Sequence, residues 1–167
     1  MGYNRSMEEI LKSIEQLARL CCKHKVKIAT AESCTGGLIA KSCTDMAGSS
    51  NWFERGFVTY SNEAKAEMLG VPASIIRDYG AVSEPVAIAM ASGALHFSQA
   101  QFSVAVTGVA GPGGGSEEKP VGTVWIAVAD AVQSQAQCCL FEGDRVAIRQ
   151  ATLQSALEML TGLIELN

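Results

Sequence analysis

Near the amino terminus, apolar side chains recur at Ile10, Ile14, Leu17, Ala18 and Cys21, a spacing that predicts a helix from about Met7 to Lys23. Ser6 reads as its cap, with Glu9 completing a capping box. The pattern then changes. "VKIAT" predicts a strand, "GGLIAKSCTDMAG" a helix stopped by Gly48, "GFVTYS" a second strand and "NEAKAEMLG" a short helix from about Asn62. "VSEPVAIAMASGALHFSQ" predicts a longer helix, capped by Ser83 and carrying Pro85 in its first turn. The unbroken apolar run "FSVAVTGVA" has the character of a strand in the middle of a sheet. "GPGGGSEEKP" is a loop, "VGTVWIAVAD" and "AQCCLFE" form an antiparallel hairpin, and an amphipathic helix closes the chain from about Asp144 to Glu165. Helices alternating with strands predict a three-layer α/β/α domain. The hairpin makes its sheet mixed, although mainly parallel.

Composition narrows the class. At 167 residues, 48% hydrophobic and 18% charged, the chain is expected to form a single domain, residues 1–167, with a substantial core. A formal net charge of −4 argues against a broad nucleic-acid surface, and no apolar run approaches the length of a membrane span. The charged, amphipathic amino terminus lacks a signal-peptide core. "MGYNRS" fits a myristoylation pattern and "NRS" a glycosylation acceptor, but both patterns are short enough to match by chance. Of the six cysteines, Cys21, Cys22, Cys34, Cys43, Cys138 and Cys139, none forms a C-x-x-C pair, and His24 and His96 are distant from them. No zinc site is expected, and the thiols read as reduced in a cytoplasmic protein.

Candidate chemistry lies in three segments that follow strands: "AESCTGG", "TYSNEAK" and "TGVAGPGGG". If those strands are parallel, the segments meet at one sheet edge, where open α/β sheets bind ligands. In the first, Gly36 and Gly37 allow close backbone approach, and the following helix start offers N–H groups for a phosphate or an oxyanion. The same residues read equally as a cap formed by Ser33 or Thr35 with glycines for tight packing. Ser33 and Cys34 both offer a nucleophile. A thiolate is the stronger one, but it needs a partner such as imidazole, and neither histidine borders these segments. Lys65 does border them. A desolvated lysine can activate a hydroxyl, with Tyr60 relaying a proton or holding substrate; alternatively, Lys65 is a solvated helix residue and Tyr60 a half-buried strand residue. Adjacent side chains diverge, so only one of Ser33 and Cys34 is expected to face a ligand. The glycine-rich loop is neither a Walker motif nor a dinucleotide fingerprint, and reads as an anion nest or as a solvated hairpin loop. Arg145 and Arg149 fall four apart at the positive end of the last helix, which suggests an anion beside them or a surface ion pair with Glu142.

Taken together, "TAESCTGGLIAKSCTDMAGSSNWFERGFVTYSNEAKAEMLGV", "GAVSEPVA", "TGVAGPGGGSEEKPVGTVW" and "GDR" resemble the CinA C-terminal domain family over nearly the full chain. The likeness is greatest to its stand-alone members, without the additional amino-terminal domain of larger relatives. The resemblance implies a bacterial hydrolase of pyridine-nucleotide salvage, which cleaves the carboxamide of nicotinamide mononucleotide to ammonia and nicotinate mononucleotide. It implies no metal and no cofactor, a small-molecule substrate as partner with neither nucleic acid nor membrane, a cytoplasmic location, and it leaves a homo-oligomer open. By motif position Ser33 is the implied nucleophile, Lys65 its base and Tyr60 an active-site partner. Thr35, Gly36, Gly37, Thr107 and Arg145 are the implied substrate contacts. The alternative is a regulatory module that binds a nucleotide without turning it over.

Overall fold

The sheet is built on β1 (Ile28–Glu32), a five-residue strand buried along its whole length. In this computed structural model, which describes the backbone of residues 2–167 and the side chains of residues 7–167, β1 pairs in parallel with β2 (Phe53–Val58) on one side and with β3 (Phe102–Gly108) on the other. β4 (Thr123–Ala129) runs antiparallel to β3, and β5 (Ser134–Leu140) antiparallel to β4, so the order is β2-β1-β3-β4-β5. The mixed α/β architecture and its hairpin therefore follow the expectation from the sequence.

The two faces of this sheet differ in side-chain size. Ile28, Val104, Val106, Val124, Ile126 and Val128 point to one side, where α1 (Gly2–His24), α2 (Leu38–Thr44) and α6 (Arg145–Glu165) cover them. Ala29, Ala31, Ala105, Ala127 and Ala129 point to the other, against α3 (Asn62–Leu69), α4 (Ala73–Tyr79) and α5 (Glu84–His96). Strand alternation explains the segregation. Burying one branched aliphatic side chain is worth about 1.5–3 kcal/mol, so the first face carries most of the apolar driving force. The alanine face instead lets α5 lie close to the sheet, near enough for the Ser103 hydroxyl to donate to the Ala91 carbonyl at 2.7 Å. Gly93 of α5 extends that closeness to α3, since a Cβ there would sit 2.1 Å from the Leu69 carbonyl oxygen.

Several boundaries depart from the sequence reading. The first helix begins at Gly2, and the Ser6 cap concerns a side chain outside the described residues. α2 starts at Leu38, not Gly36, because Gly36 and Gly37 adopt positive φ of 58° and 97° and form a turn ahead of it. β2 starts at Phe53 and ends at Val58, which leaves Thr59, Tyr60 and Ser61 as a connection. Ser83 precedes α5, but its hydroxyl donates to the Gly80 carbonyl and does not cap the helix. α4, between Pro72 and Gly80, was not foreseen.

Candidate active site

Strand pairing continues one step past the end of β1. Ser33 N–H donates to the Val106 carbonyl at 3.0 Å, and Thr59 N–H donates to the Glu32 carbonyl at 2.8 Å. Continued alternation turns Ser33 to the α3–α5 side of the sheet, the side of Ala29 and Ala31. There it meets Lys65 from the first turns of α3, a helix capped by the Ser61 hydroxyl, which accepts from Ala64 N–H at 3.0 Å. Lys65 is 1% exposed, and its Nζ lies 3.0 Å from Ser33 Oγ. The same nitrogen donates to the carbonyls of Thr59 at 3.0 Å and Tyr60 at 3.3 Å, and more weakly to Ser61 at 3.5 Å.

Burial here works toward the neutral amine. Burial lowers the Lys65 pKa from its ordinary value, while the fields of Cys34 and Glu63 oppose that shift. Among the described residues Lys65 forms no ion pair. A neutral amine has two N–H groups, which serve the two nearer carbonyls, Thr59 and Tyr60, and leave the 3.5 Å Ser61 contact without a donor, and one lone pair for the Ser33 hydroxyl. The Cys34 thiol is in the opposite condition: burial pushes its pKa up to about 11, with the Glu32 charge adding to the rise.

Glu32, which sequence reasoning passed over, organises the turn that follows. Its fully buried carboxylate accepts from Thr35 Oγ1 at 2.6 Å, Ile39 N–H at 2.8 Å and Ala40 N–H at 2.9 Å. A buried carboxylate is tolerated only with such donors. The start of α2 is therefore already occupied, which corrects the expectation that it offers free N–H groups. Gly36 N–H is also used, by the Ser33 carbonyl, and Leu38 N–H by the Thr35 carbonyl. The N–H groups of Cys34, Thr35 and Gly37 keep no assigned acceptor among the described residues. The available signal was an acid ending an otherwise apolar strand, "IATAE".

Ser33 and Lys65 lie in a cavity of about 240 Å³ that Tyr60, Thr107, Cys34 and Arg145 also line. Thr107 lies on the Ser33 face of β3, and its hydroxyl donates to the Ala81 carbonyl at 2.8 Å. Tyr60 and Arg145 are exposed at the rim, where Arg145 donates to the Gly111 carbonyl at 2.8 Å and to the Tyr60 hydroxyl at 3.2 Å. All three sequence segments thus converge. Thr35, Gly36 and Gly37 do not line the cavity: the Thr35 hydroxyl turns inward to Glu32, and the two glycines form the left-handed turn that follows. Cys34 also borders it beside Ser33, but its side chain packs into the core on the α1–α2–α6 side, with Ile28, Val104 and Val106, while Ser33 turns to the α3–α5 side, so the two diverge as expected. Arg145 and Arg149 form no ion pair with Glu142 among the described residues. Arg149 reaches the turn instead, donating to the Thr35 carbonyl at 2.7 Å.

Known proteins resemble this chain in sequence and in fold. The model of the CinA C-terminal domain family matches residues 11–164. The chain is 52% identical over 155 residues to a protein of Escherichia coli K12 named nicotinamide-nucleotide amidohydrolase PncC, covering 91% of this chain and 93% of that protein. It is 56% identical over 133 residues to a CinA-like protein of Akkermansia muciniphila, covering 79% of this chain and 32% of that longer protein. The solved structure of the competence/damage inducible protein CihA from Agrobacterium tumefaciens superposes with a TM-score of 0.91 at 46% identity, covering 93% of this chain and 95% of the other.

Proposed function

This chain belongs to the CinA C-terminal domain family, and from that premise we propose that it is an amidohydrolase acting on nicotinamide mononucleotide, with Ser33 as nucleophile and Lys65 as general base. In this proposal residues 1–167 act as one catalytic domain. The observation that carries it is the buried 3.0 Å contact between Lys65 Nζ and Ser33 Oγ. A lysine held without a counter-ion inside a small cavity is poorly suited to structural pairing and well suited to proton transfer.

A carboxamide is a weak electrophile with a poor leaving group, so both halves of the reaction need proton transfer. Neutral Lys65 takes the Ser33 hydroxyl proton as Oγ bonds to the carboxamide carbon. The oxygen that gains charge is held by the N–H group of Cys34, which has no assigned acceptor among the described residues and borders the cavity. The Lys65 ammonium then passes its proton to the departing nitrogen, the carbon–nitrogen bond breaks, and ammonia leaves. Water attacks the resulting Ser33 ester while Lys65 takes a proton from it. Return of that proton to Ser33 Oγ releases nicotinate mononucleotide and restores the dyad. Arg145, at the rim and without a carboxylate partner among the described residues, binds the phosphate, and the Tyr60 hydroxyl beside it orients the nucleotide. Thr107 completes the wall facing the pyridine.

Incubation with nicotinamide mononucleotide, with ammonia and nicotinate mononucleotide both quantified, tests the proposal. One equivalent of each per substrate consumed is expected. Saturable binding with no ammonia would replace it with the regulatory module that the same nucleotide-sized site would suit.

A further inference from the structure

Arg149 takes no part in the cavity, yet its placement is difficult to account for as surface charge. It is half-buried on α6, one turn beyond Arg145, and donates from Nη2 to the main-chain carbonyl of Thr35 at 2.7 Å, across 114 residues of sequence. Among the described residues its buried Nε has no hydrogen-bond partner and no carboxylate pairs with it. Desolvating a guanidinium to satisfy one neutral carbonyl is unfavourable compared with an apolar residue of similar size. Gly36 lies against it: a Cβ at that position would stand in ordinary contact with Arg149 Nη2, at 3.9 Å. The carbonyl it grips belongs to the turn that presents Ser33, whose inner side is already fastened by Glu32.

We propose that Arg149 is a positioning residue for the hydrolysis, clamping the Ser33–Gly37 turn through the Thr35 carbonyl so that Ser33 Oγ and the neighbouring free N–H groups keep their places through the reaction. This rests on the reading of Ser33 as nucleophile. Fixing the Thr35 carbonyl also fixes the plane of the Thr35–Gly36 peptide and stiffens the left-handed turn at Gly36 and Gly37. The guanidinium further adds a fixed positive charge close to the residues where negative charge develops; that field is already felt at Cys34, whose thiolate it favours. Arg145 and Arg149 then divide the labour of one helix start: the first meets the ligand and the second holds the nucleophile's turn.

The test uses full-length Arg149→Ala and Arg149→Lys. Two readouts are taken: steady-state ammonia release from nicotinamide mononucleotide, and the rate at which a fluorophosphonate labels Ser33, forming the phosphorus–oxygen bond with loss of fluoride. We expect kcat and labelling rate to fall together in Arg149→Ala by about ten- to a hundredfold, with KM within about threefold of wild type. The pH midpoint of the residual activity should not move, since the Lys65 environment is intact. Millimolar guanidinium should restore part of the lost rate, and Arg149→Lys should fall between. Wild-type kcat and labelling in Arg149→Ala, a rise in KM at unchanged kcat, or a loss that tracks the unfolded fraction and ignores guanidinium would each overturn the inference. If Arg149→Ala does not fold, Arg149→Lys decides by the same measures. Should the wild-type protein release no ammonia, the substrate reading fails alone, and the labelling ratio still decides the role of Arg149.

Discussion

Lys65 Nζ lies 3.0 Å from Ser33 Oγ, although 32 residues separate them in the chain, and both side chains are buried. The main chain encloses the pair. Thr59 donates its N–H to the Glu32 carbonyl and offers its own carbonyl to Lys65, so the strand pairing that positions Ser33 also positions its partner. A lysine fixed this way carries a pH signature, from which the first expectation follows.

Activity should rise with pH through the folded-state pKa of Lys65, because the base must be neutral and burial holds that pKa below its ordinary 10.5. The stability sign is the same. Between the lowered folded pKa and the unfolded value the unfolded chain binds more protons, so stability should increase with pH across that window. Lys65→Met should abolish ammonia release, melt at or above the wild-type temperature near neutral pH, and lose the Lys65 part of that increase. Melting curves and rate profiles of both proteins over the same pH range check all three.

Glu32 should matter for stability before chemistry. Glu32→Ala removes three hydrogen bonds to a buried side-chain acceptor and leaves the N–H groups of Ile39 and Ala40 orphaned. A loss of about 3 kcal/mol or more is expected in urea unfolding. Glu32→Gln keeps one acceptor oxygen and should lose less. Equal stability of all three proteins would refute the assigned role.

Arg145→Ala should raise KM for the mononucleotide by about tenfold or more, the scale of a charge-assisted contact of roughly 1.5–3 kcal/mol. The phosphate-free riboside should be far less affected. Equal losses on both substrates would move Arg145 out of phosphate recognition.

How much of this was legible in the sequence depended on whether a residue's partners lay in recognisable segments. Ser33 and Lys65 stood directly after strands, in stretches whose polarity broke the apolar pattern, so their convergence followed from a parallel sheet. Arg145 and Arg149 were visible as an oddly placed pair, but only tertiary structure separates them, one toward the cavity and one toward Thr35. Glu32 was hidden because its partners are mainly backbone N–H groups seven and eight residues on, which carry no side-chain signature. α4 was missed because its seven residues make only about two turns, too short for the spacing of Ile75, Ile76 and Tyr79 to stand out, and none of them is buried. The divergence of Ser33 and Cys34 was legible because side-chain alternation carries past the end of β1, leaving Cys34 in the core cluster of the opposite face.

That both Ser33 and Cys34 border the cavity makes one comparison decisive: ammonia release from nicotinamide mononucleotide by Ser33→Ala and Cys34→Ala, each verified as folded. The Cys34 thiol, its pKa raised to about 11 by burial, is protonated at neutral pH, whereas Ser33 has the Lys65 amine beside it. The account predicts no detectable release from Ser33→Ala and substantial release from Cys34→Ala. Full activity in Ser33→Ala with complete loss in Cys34→Ala would contradict it.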